Sequence, residues 1–190
     1  MLKFTKQEYQ VRVQKVKEKM EERGIEVLLI TNPANMNYLT GYNAWSFYVH
    51  QMVVVMLDEE EPLWIGRFMD AIAARKTAWL DHDNILAYSD DYVQNYEKHP
   101  MDYVSDVLKQ RGQDKKRTAV EMDNYYFTAQ CYESLKKGLP NAQFVDARGL
   151  VNWVKIIKSD TEIEFMKRAG KIMEKGMKDA IDYLNVGVRK

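Results

Sequence analysis

An unusual concentration of aromatic side chains marks residues 41 to 51, which read GYNAWSFYVHQ and precede an apolar run. Trp45, Phe47, Tyr48 and His50 neither alternate like the residues of a half-buried strand nor repeat at the spacing of one helix face. Aromatic faces attract cations, and phenol and imidazole groups form hydrogen bonds, so this group could line a binding site for a small molecule. The alternative is a core or dimer patch, because aromatic side chains bury large areas at interfaces.

The other histidines and the single cysteine are scattered along the chain. Asp81, His82 and Asp83 are consecutive and point in different directions, which is typical of a polar turn rather than a metal site. His50 and His99 are far apart in sequence. Cys131 lies in a helical pattern, which predicts a packed thiol. No metal site is therefore expected in this chain.

Carboxylates give only one candidate. Glu121 and Asp123 stand at the end of a predicted strand, where α/β folds often place functional groups, but Asp123 or Asn124 could instead cap a helix. The sequence contains no H-E-x-x-H, C-x-x-C, G-x-S-x-G or glycine-rich phosphate loop. On motifs alone, the chain does not look like a complete enzyme.

Composition narrows the class of protein. The 190 residues include 28 basic and 28 acidic side chains, so a nucleic-acid partner, which requires a basic excess or stripe, is not expected. No secretory signal and no apolar run near the ~20 residues of a membrane span is present. A single cysteine permits no intrachain disulfide, and a cytoplasmic location is the simplest expectation.

Strand and helix patterns alternate along most of the chain. A T-x-x-E capping box at Thr5 predicts the first helix, and the apolar residues 25–30 predict a strand buried on both faces. A hairpin and three further helix–strand alternations follow, which indicates an α/β layer with a mixed sheet of about six strands. A second capping box, at Ser159, begins a predicted helix of about 24 residues with a long apolar stripe. Such a stripe needs something to cover it.

Two segments resemble a known family. NPANMNYLTGY, residues 32–42, is similar to the N-terminal domain of the creatinase, prolidase and aminopeptidase P family, and residues 151–177 resemble the linker and first helix of its "pita-bread" catalytic domain. Within that family the chain is most similar to ectoine hydrolases, in the segments WSFYVHQ, GRFMDAIAARKTAWLDHDNI, DYVQNYEKHPMDYV, VEMDNYYF and LVNWVKIIKS.

The resemblance implies a creatinase/prolidase N-terminal α/β domain at residues 1–150, followed at 151–190 by the linker and first helix of a truncated catalytic domain. It implies a homodimer and a fragment that is inactive alone, because the family's acid, base and metal-binding residues lie in the catalytic domain. It implies no cofactor in this chain. A divalent metal in the missing domain is left open, because the family has metal-dependent and metal-free members.

The resemblance also gives the ring-rich stretch a role. In creatinase-like dimers this segment lends side chains to the partner's active site; Phe47 aligns with a substrate-contacting phenylalanine, and Val49 replaces a substrate-contacting arginine. The substrate would then be bound by Trp45, Tyr48 and His50, which would take the place of that arginine. The alternatives are the N-terminal domain of an Xaa-Pro dipeptidase or aminopeptidase, and a stand-alone small-molecule-binding or assembly module.

Overall fold

A single mixed sheet organises the protein in the computed structural model, which describes residues 2–184 and residue 187. The chain divides into two compact units, one ending at Lys155 and one beginning at Ile156. The strands are β1 Val27–Ile30, β2 Met52–Met56, β3 Leu63–Arg67, β4 Ile85–Tyr88, β5 Arg117–Val120 and β6 Gln143–Asp146. The helices are α1 Lys6–Glu22, α2 Pro33–Thr40, α3 Phe68–Thr77, α4 Pro100–Gln110, α5 Ala129–Gly138, α6 Leu150–Ile156 and α7 Asp160–Tyr183.

The sheet has the strand order β4-β3-β2-β1-β5-β6 and is parallel except at β2. β2 runs antiparallel to both of its neighbours, with Ile30 opposite Val53 and Val54 opposite Leu63. The predicted α/β fold with a mixed sheet of about six strands is confirmed. Because β2 is antiparallel to β1, the residues just before β2 lie beside the carboxyl ends of β1 and β5.

Helices cover both faces of the sheet. Leu28 and Ile30 face a core formed with α1, α2, α3 and α6, whereas Val27 and Leu29 face a second core formed with α4 and α5. All four residues of β1 are fully buried, as the unbroken apolar run predicts for a strand covered on both sides. A buried strand at the centre of the sheet fixes the positions of the loops at its end.

Several local predictions hold in detail and one does not. Ser159 forms the predicted capping box with Glu162 at the start of α7, which has 24 residues. Thr5 caps α1, where its hydroxyl accepts the Glu8 backbone N–H at 3.2 Å. Neither Asp123 nor Asn124 caps a helix, because residues 124–127 form turns and α5 begins only after the Thr128 cap. Cys131 is nevertheless helical and fully buried, as predicted.

The short helix α2 was not predicted. Asn32 caps it by accepting hydrogen bonds from two backbone N–H groups, Pro33 occupies its first turn, and Gly41 ends it in the left-handed conformation. A Cβ at Gly41 would stand 2.9 Å from both the Tyr9 hydroxyl and the Leu2 side chain, so this glycine permits a close approach as well as the turn. Among the described residues no helix is long and apolar enough to cross a membrane.

One acidic side chain joins distant parts of the first unit. The Glu61 carboxylate, in the turn between β2 and β3, accepts hydrogen bonds from Lys6 at 2.9 Å and from the backbone N–H of Asp81 at 3.0 Å. The Asn84 amide also donates to it, at 3.3 Å. Burial opposes ionisation of this carboxyl group, but these donors outweigh it and lower the pKa of Glu61.

Candidate functional site

The ring-rich stretch forms an irregular loop at the carboxyl edge of the sheet. It runs from Gly41 to the start of β2 at Met52 and contains no helix or strand. Trp45, Phe47 and Tyr48 are 60%, 79% and 52% exposed, so these rings do not belong to the core of this chain. Val49 is buried and His50 is partly buried, which anchors the end of the loop while its middle faces outwards. Exposed rings of this kind are available to a ligand or a partner.

Two open cavities flank the loop. The first, of about 50 Å³, is lined by the end of β1, the start of α2, the loop itself and the segment before α5. The second, of about 170 Å³, lies between the loop and residues 92–100. Tyr48, Val49 and His50 line both cavities. Both are smaller than the ~300–1,000 Å³ of typical small-molecule sites, so neither encloses a ligand without a second surface.

Neighbouring side chains hold the exposed rings in place. The Trp45 ring packs edge-on against Tyr126, with centroids 6.2 Å apart, and Phe47 packs against Tyr48 at 5.5 Å. The Arg67 guanidinium donates to the Tyr48 hydroxyl at 3.4 Å and to both oxygens of the Asp90 carboxylate at 2.7 and 2.9 Å. These contacts orient rings that are otherwise surrounded by solvent.

His50 lies against two other side chains that bind metals elsewhere in proteins. The Cys131 sulfur is 3.6 Å from Nδ1 and 3.7 Å from Nε2 of His50, and the His50 and His99 ring centroids are 5.1 Å apart. The Tyr88 hydroxyl donates to the His50 backbone carbonyl, which fixes this end of the loop against β4. One ligand atom from each of His50, His99 and Cys131 lies within 4.8 Å of the others.

Burial keeps this cluster uncharged near neutral pH. It lowers the pKa of His50, against a hydrogen bond with the Tyr126 backbone. Burial, helped by His50 and opposed by Asp102, lowers the pKa of His99 to about 4. Burial also raises the pKa of the Cys131 thiol. Two neutral imidazoles and a neutral thiol are therefore the resting state of the cluster.

A second polar cluster lies at the ends of β1 and β5. One Glu121 oxygen accepts the backbone N–H groups of Thr31 and Asn32, both at 2.8 Å, and the Asn124 amide at 3.1 Å. The other oxygen accepts the Asn35 amide at 2.6 Å. Glu121 is thus occupied in holding the start of α2 against β5, which accounts for this residue without a ligand. Asp123 is exposed and does not cap a helix; Thr128 does.

The structure joins residues that the sequence had left apart. His50, His99 and Cys131 come from the loop before β2, the start of α4 and the first turn of α5. Their proximity was not predicted, because their separations along the chain of 49 and 32 residues match no local motif. The available signal was topological: all three follow or precede strands at the same edge of the sheet. The D-H-D segment, by contrast, is a short 3-10 turn capped by Asp81, as predicted.

Comparison with known families gives a match over most of the chain. The family model described as "Creatinase/Prolidase N-terminal domain" matches residues 12–157. An ectoine hydrolase of Halomonas elongata is 53% identical over 173 residues, which are 90% of this chain and 43% of that protein. An uncharacterized hydrolase/peptidase of Sinorhizobium fredii is 44% identical over 190 residues, which are 100% of this chain and 48% of that protein. The chain therefore spans less than half the length of these curated relatives.

Solved structures give the same fold. An Xaa-Pro dipeptidase from Bacillus anthracis superposes with a TM-score of 0.74 and 20% sequence identity, covering 95% of this chain and 45% of that one. At this identity the likeness concerns the fold alone. The expected fold is confirmed by this superposition and by the family match.

Proposed function

Because the chain belongs to the creatinase/prolidase N-terminal domain family, we propose that it is the substrate-lining and dimer-forming domain of an ectoine-hydrolase-like enzyme. The parent enzyme would hydrolyse a C–N bond in a small cyclic amidine, and this domain would be inactive alone. The identity of 53% with an ectoine hydrolase, over 90% of the chain, supports the substrate class. The 43% share of that relative's length agrees with a catalytic domain outside these residues.

The observation that carries this proposal is the exposure of the ring-rich loop beside an open cavity. Trp45, Phe47, Tyr48 and His50 are the proposed substrate-binding residues. Ectoine carries a flat, delocalised amidinium and a carboxylate. An exposed aromatic face suits the cation, contributing ~0.5–2 kcal/mol, and the Tyr48 hydroxyl or the His50 ring could hydrogen-bond the carboxylate.

The dimer accounts for how these side chains would reach a catalytic centre. Rings that are more than half exposed in one chain become a substrate wall only when a second surface closes over them. We assign that surface to the catalytic domain of the partner subunit in a homodimer. The protein would act in the cytoplasm on a small molecule, and this chain would hold no catalytic residue.

The principal rival is the same domain of an Xaa-Pro dipeptidase or aminopeptidase. The fold fits that enzyme class equally well, since a solved Xaa-Pro dipeptidase superposes on 95% of this chain. Its identity of 20% is far below the 53% of the ectoine hydrolase, so sequence favours the amidine substrate. A stand-alone binding module would require no second domain, which the relatives of twice this length do not favour.

Substrate profiling of the full-length protein tests the proposal directly. We expect ectoine to be converted to an acetylated diaminobutyrate, which chromatography would detect. A dipeptide with proline as its second residue should remain intact. Cleavage of the dipeptide alone would refute the ectoine assignment and favour the peptidase. The isolated 190-residue chain should turn over neither compound; turnover of ectoine by it would refute the claim that it is inactive alone.

Variants test the ring-rich loop separately. In the full-length enzyme Trp45→Ala should raise the KM for ectoine about 5- to 30-fold, which corresponds to a contact of about 1–2 kcal/mol. Tyr48→Phe removes one hydroxyl and should raise it by up to about 10-fold. Val11→Ala is the matched control, because Val11 is an exposed apolar residue on α1 outside both cavities. Normal KM values in both loop variants would refute the assignment of this wall.

A further inference from the structure

Three side chains with a high affinity for transition metals converge beside the second cavity. His50 comes from the ring-rich loop, His99 from the cap of α4 and Cys131 from the first turn of α5, and one ligand atom from each lies within 4.8 Å of the others. We propose that these residues bind one Zn²⁺ per chain, with a fourth position open to the cavity. This inference does not depend on the proposed substrate, but an ion on His50 would leave the substrate carboxylate to the Tyr48 hydroxyl. It departs from the expectation that the chain holds no metal.

The ligand types select the ion. Imidazole and thiolate together suit Zn²⁺, whereas Mg²⁺ and Ca²⁺ take oxygen ligands. Three protein ligands are typical of zinc sites that keep a position for water or substrate, and four of those that are purely structural. No fourth His, Cys, Asp or Glu joins the cluster among the residues that the structure describes, so the arrangement corresponds to the open kind of site.

The Cys131 sulfur and the His50 ring are close enough to share an ion once the ring turns. Tetrahedral Zn²⁺ bonds of about 2.0 Å to nitrogen and 2.3 Å to sulfur place the two ligand atoms about 3.5 Å apart. The Cys131 sulfur is 3.6 and 3.7 Å from the two His50 nitrogens. Because a sulfur that shares an ion with one ring nitrogen lies farther from the other, binding requires rotation of the His50 ring. One ligand atom from each of the three residues lies within 4.8 Å of the others, so a common ion is within reach of all three.

The surroundings of Cys131 would stabilise a metal-bound thiolate. Burial raises the pKa of the free thiol, but a bound Zn²⁺ would deprotonate a coordinating thiol. Cys131 lies in the first turn of a ten-residue helix, and the helix dipole would favour the resulting thiolate. The Thr128 hydroxyl, which lies 3.3 Å from the sulfur, is a further donor to that thiolate.

His99 has a second role that binding must change. Its Nδ1 accepts the backbone N–H of Met101 at 3.2 Å and so caps α4. That lone pair is already engaged, so coordination requires the ring to turn over or to release the amide. Metal binding is therefore coupled to the first turn of α4, where Asp102 still caps the His99 backbone N–H at 2.8 Å.

An ion can reach the cluster from solvent. His50 and His99 both line the second open cavity, of about 170 Å³, whereas Cys131 is fully buried. The imidazoles would therefore meet the ion first and the sulfur would complete the site from the protein side. The vacant fourth position would be occupied by water or by a small anionic ligand in the cavity.

Titration with Co²⁺, a coloured substitute for Zn²⁺, tests the site in the 190-residue chain. We expect one ion per chain, a thiolate-to-cobalt charge-transfer band in the near ultraviolet, and loss of the band when Zn²⁺ displaces the Co²⁺. Cys131→Ser should abolish the band and weaken Zn²⁺ binding by at least about 100-fold, the upper end of what an outer-shell partner contributes. Circular dichroism of each variant checks that it is folded.

His99→Asn is the sharpest variant, because asparagine also caps helices and so removes the imidazole while keeping the cap. It should weaken Zn²⁺ binding at least about 100-fold. His82→Asn is the control, because His82 is exposed in a turn outside the cluster, and it should retain the affinity of the unaltered chain. The three-ligand site would be overturned by any of three results. These are no Co²⁺ binding, Co²⁺ binding without a charge-transfer band, and equal Zn²⁺ affinity in His99→Asn and the unaltered chain.

Discussion

Replacing Glu121 with glutamine removes a charge but almost no volume, and we expect it to lower the free energy of unfolding by about 3 kcal/mol. The carboxylate accepts four hydrogen bonds, from the backbone N–H groups of Thr31 and Asn32 and from the amides of Asn35 and Asn124. All four donors face acceptor-only oxygens. A glutamine amide supplies one acceptor and one donor, so one end of the new side chain must point an N–H group at other N–H groups.

Neighbouring groups prevent the network from adjusting. If the glutamine NH₂ faces Asn35, that amide cannot simply turn over, because its oxygen accepts the Lys155 ammonium at 2.6 Å. If the NH₂ faces the other way, it meets two backbone donors that are held by β1 and α2. A buried donor left without an acceptor costs about 1–3 kcal/mol, and loss of the charge weakens the remaining bonds by about 1 kcal/mol.

Urea unfolding of the 190-residue chain, followed by tryptophan fluorescence, measures this effect. With a slope of about 2 kcal/mol per molar urea, the midpoint of Glu121→Gln should fall by about 1.5 M. Asp123→Asn is the control, because it removes the same charge from an exposed residue two positions away and should change stability by less than about 0.5 kcal/mol. A midpoint for Glu121→Gln within 0.25 M of the unaltered chain, about 0.5 kcal/mol, would refute the role assigned to the network.

Three further predictions concern stability. Gly41→Ala should lower the free energy of unfolding by about 3 kcal/mol, because it adds a clash with neighbouring side chains to the left-handed strain. Gly24→Ala, with open space around its Cβ, should lower it by only about 1 kcal/mol. Equal losses of stability in thermal unfolding would contradict the contacts of Gly41. Leu29→Ala, on the central strand, should cost about 2–5 kcal/mol in urea unfolding, and a loss under 1 kcal/mol would contradict its burial. The lowered pKa of Glu61 contributes stability that is present above pH 4.5 and is lost as the pH falls through the pKa of the folded state. Glu61→Gln should therefore be less stable at pH 7, and its stability should fall less steeply as the pH is lowered. Identical curves of stability against pH for the two proteins would contradict this assignment.

Local signals in the sequence predicted most of the fold. The capping box at Ser159, the unbroken apolar run of β1 and the alternating helix and strand patterns each act through neighbours in sequence, and each is confirmed. Start and stop signals for the short helix α2 are present in the sequence, in Asn32 before Pro33 and in the glycine at position 41. Its eight residues are too few to show a clear period.

Features that depend on the arrangement of strands could not be predicted from the sequence. The exposed ring-rich loop was identified by its residue types, and its role as a substrate wall stays a prediction. The approach of His99 and Cys131 to His50 required knowing that β2 runs against β1, which brings the loop to the edge where α4 and α5 begin. Glu121 was singled out as a ligand candidate from its position, but its four hydrogen bonds show that it holds the backbone.

The position of β1 at the centre of the sheet bears on how the chain folds during synthesis. β1 pairs on one side with β2, which follows within about 25 residues, and on the other with β5, which is not complete until Val120. At ~5–20 residues per second the ribosome needs about 5–20 s to supply this second partner. Closing a loop of about 90 residues also costs roughly 4 kcal/mol of chain entropy. Until then the nascent chain carries an apolar strand with one unpaired edge, which exposes it to aggregation during synthesis.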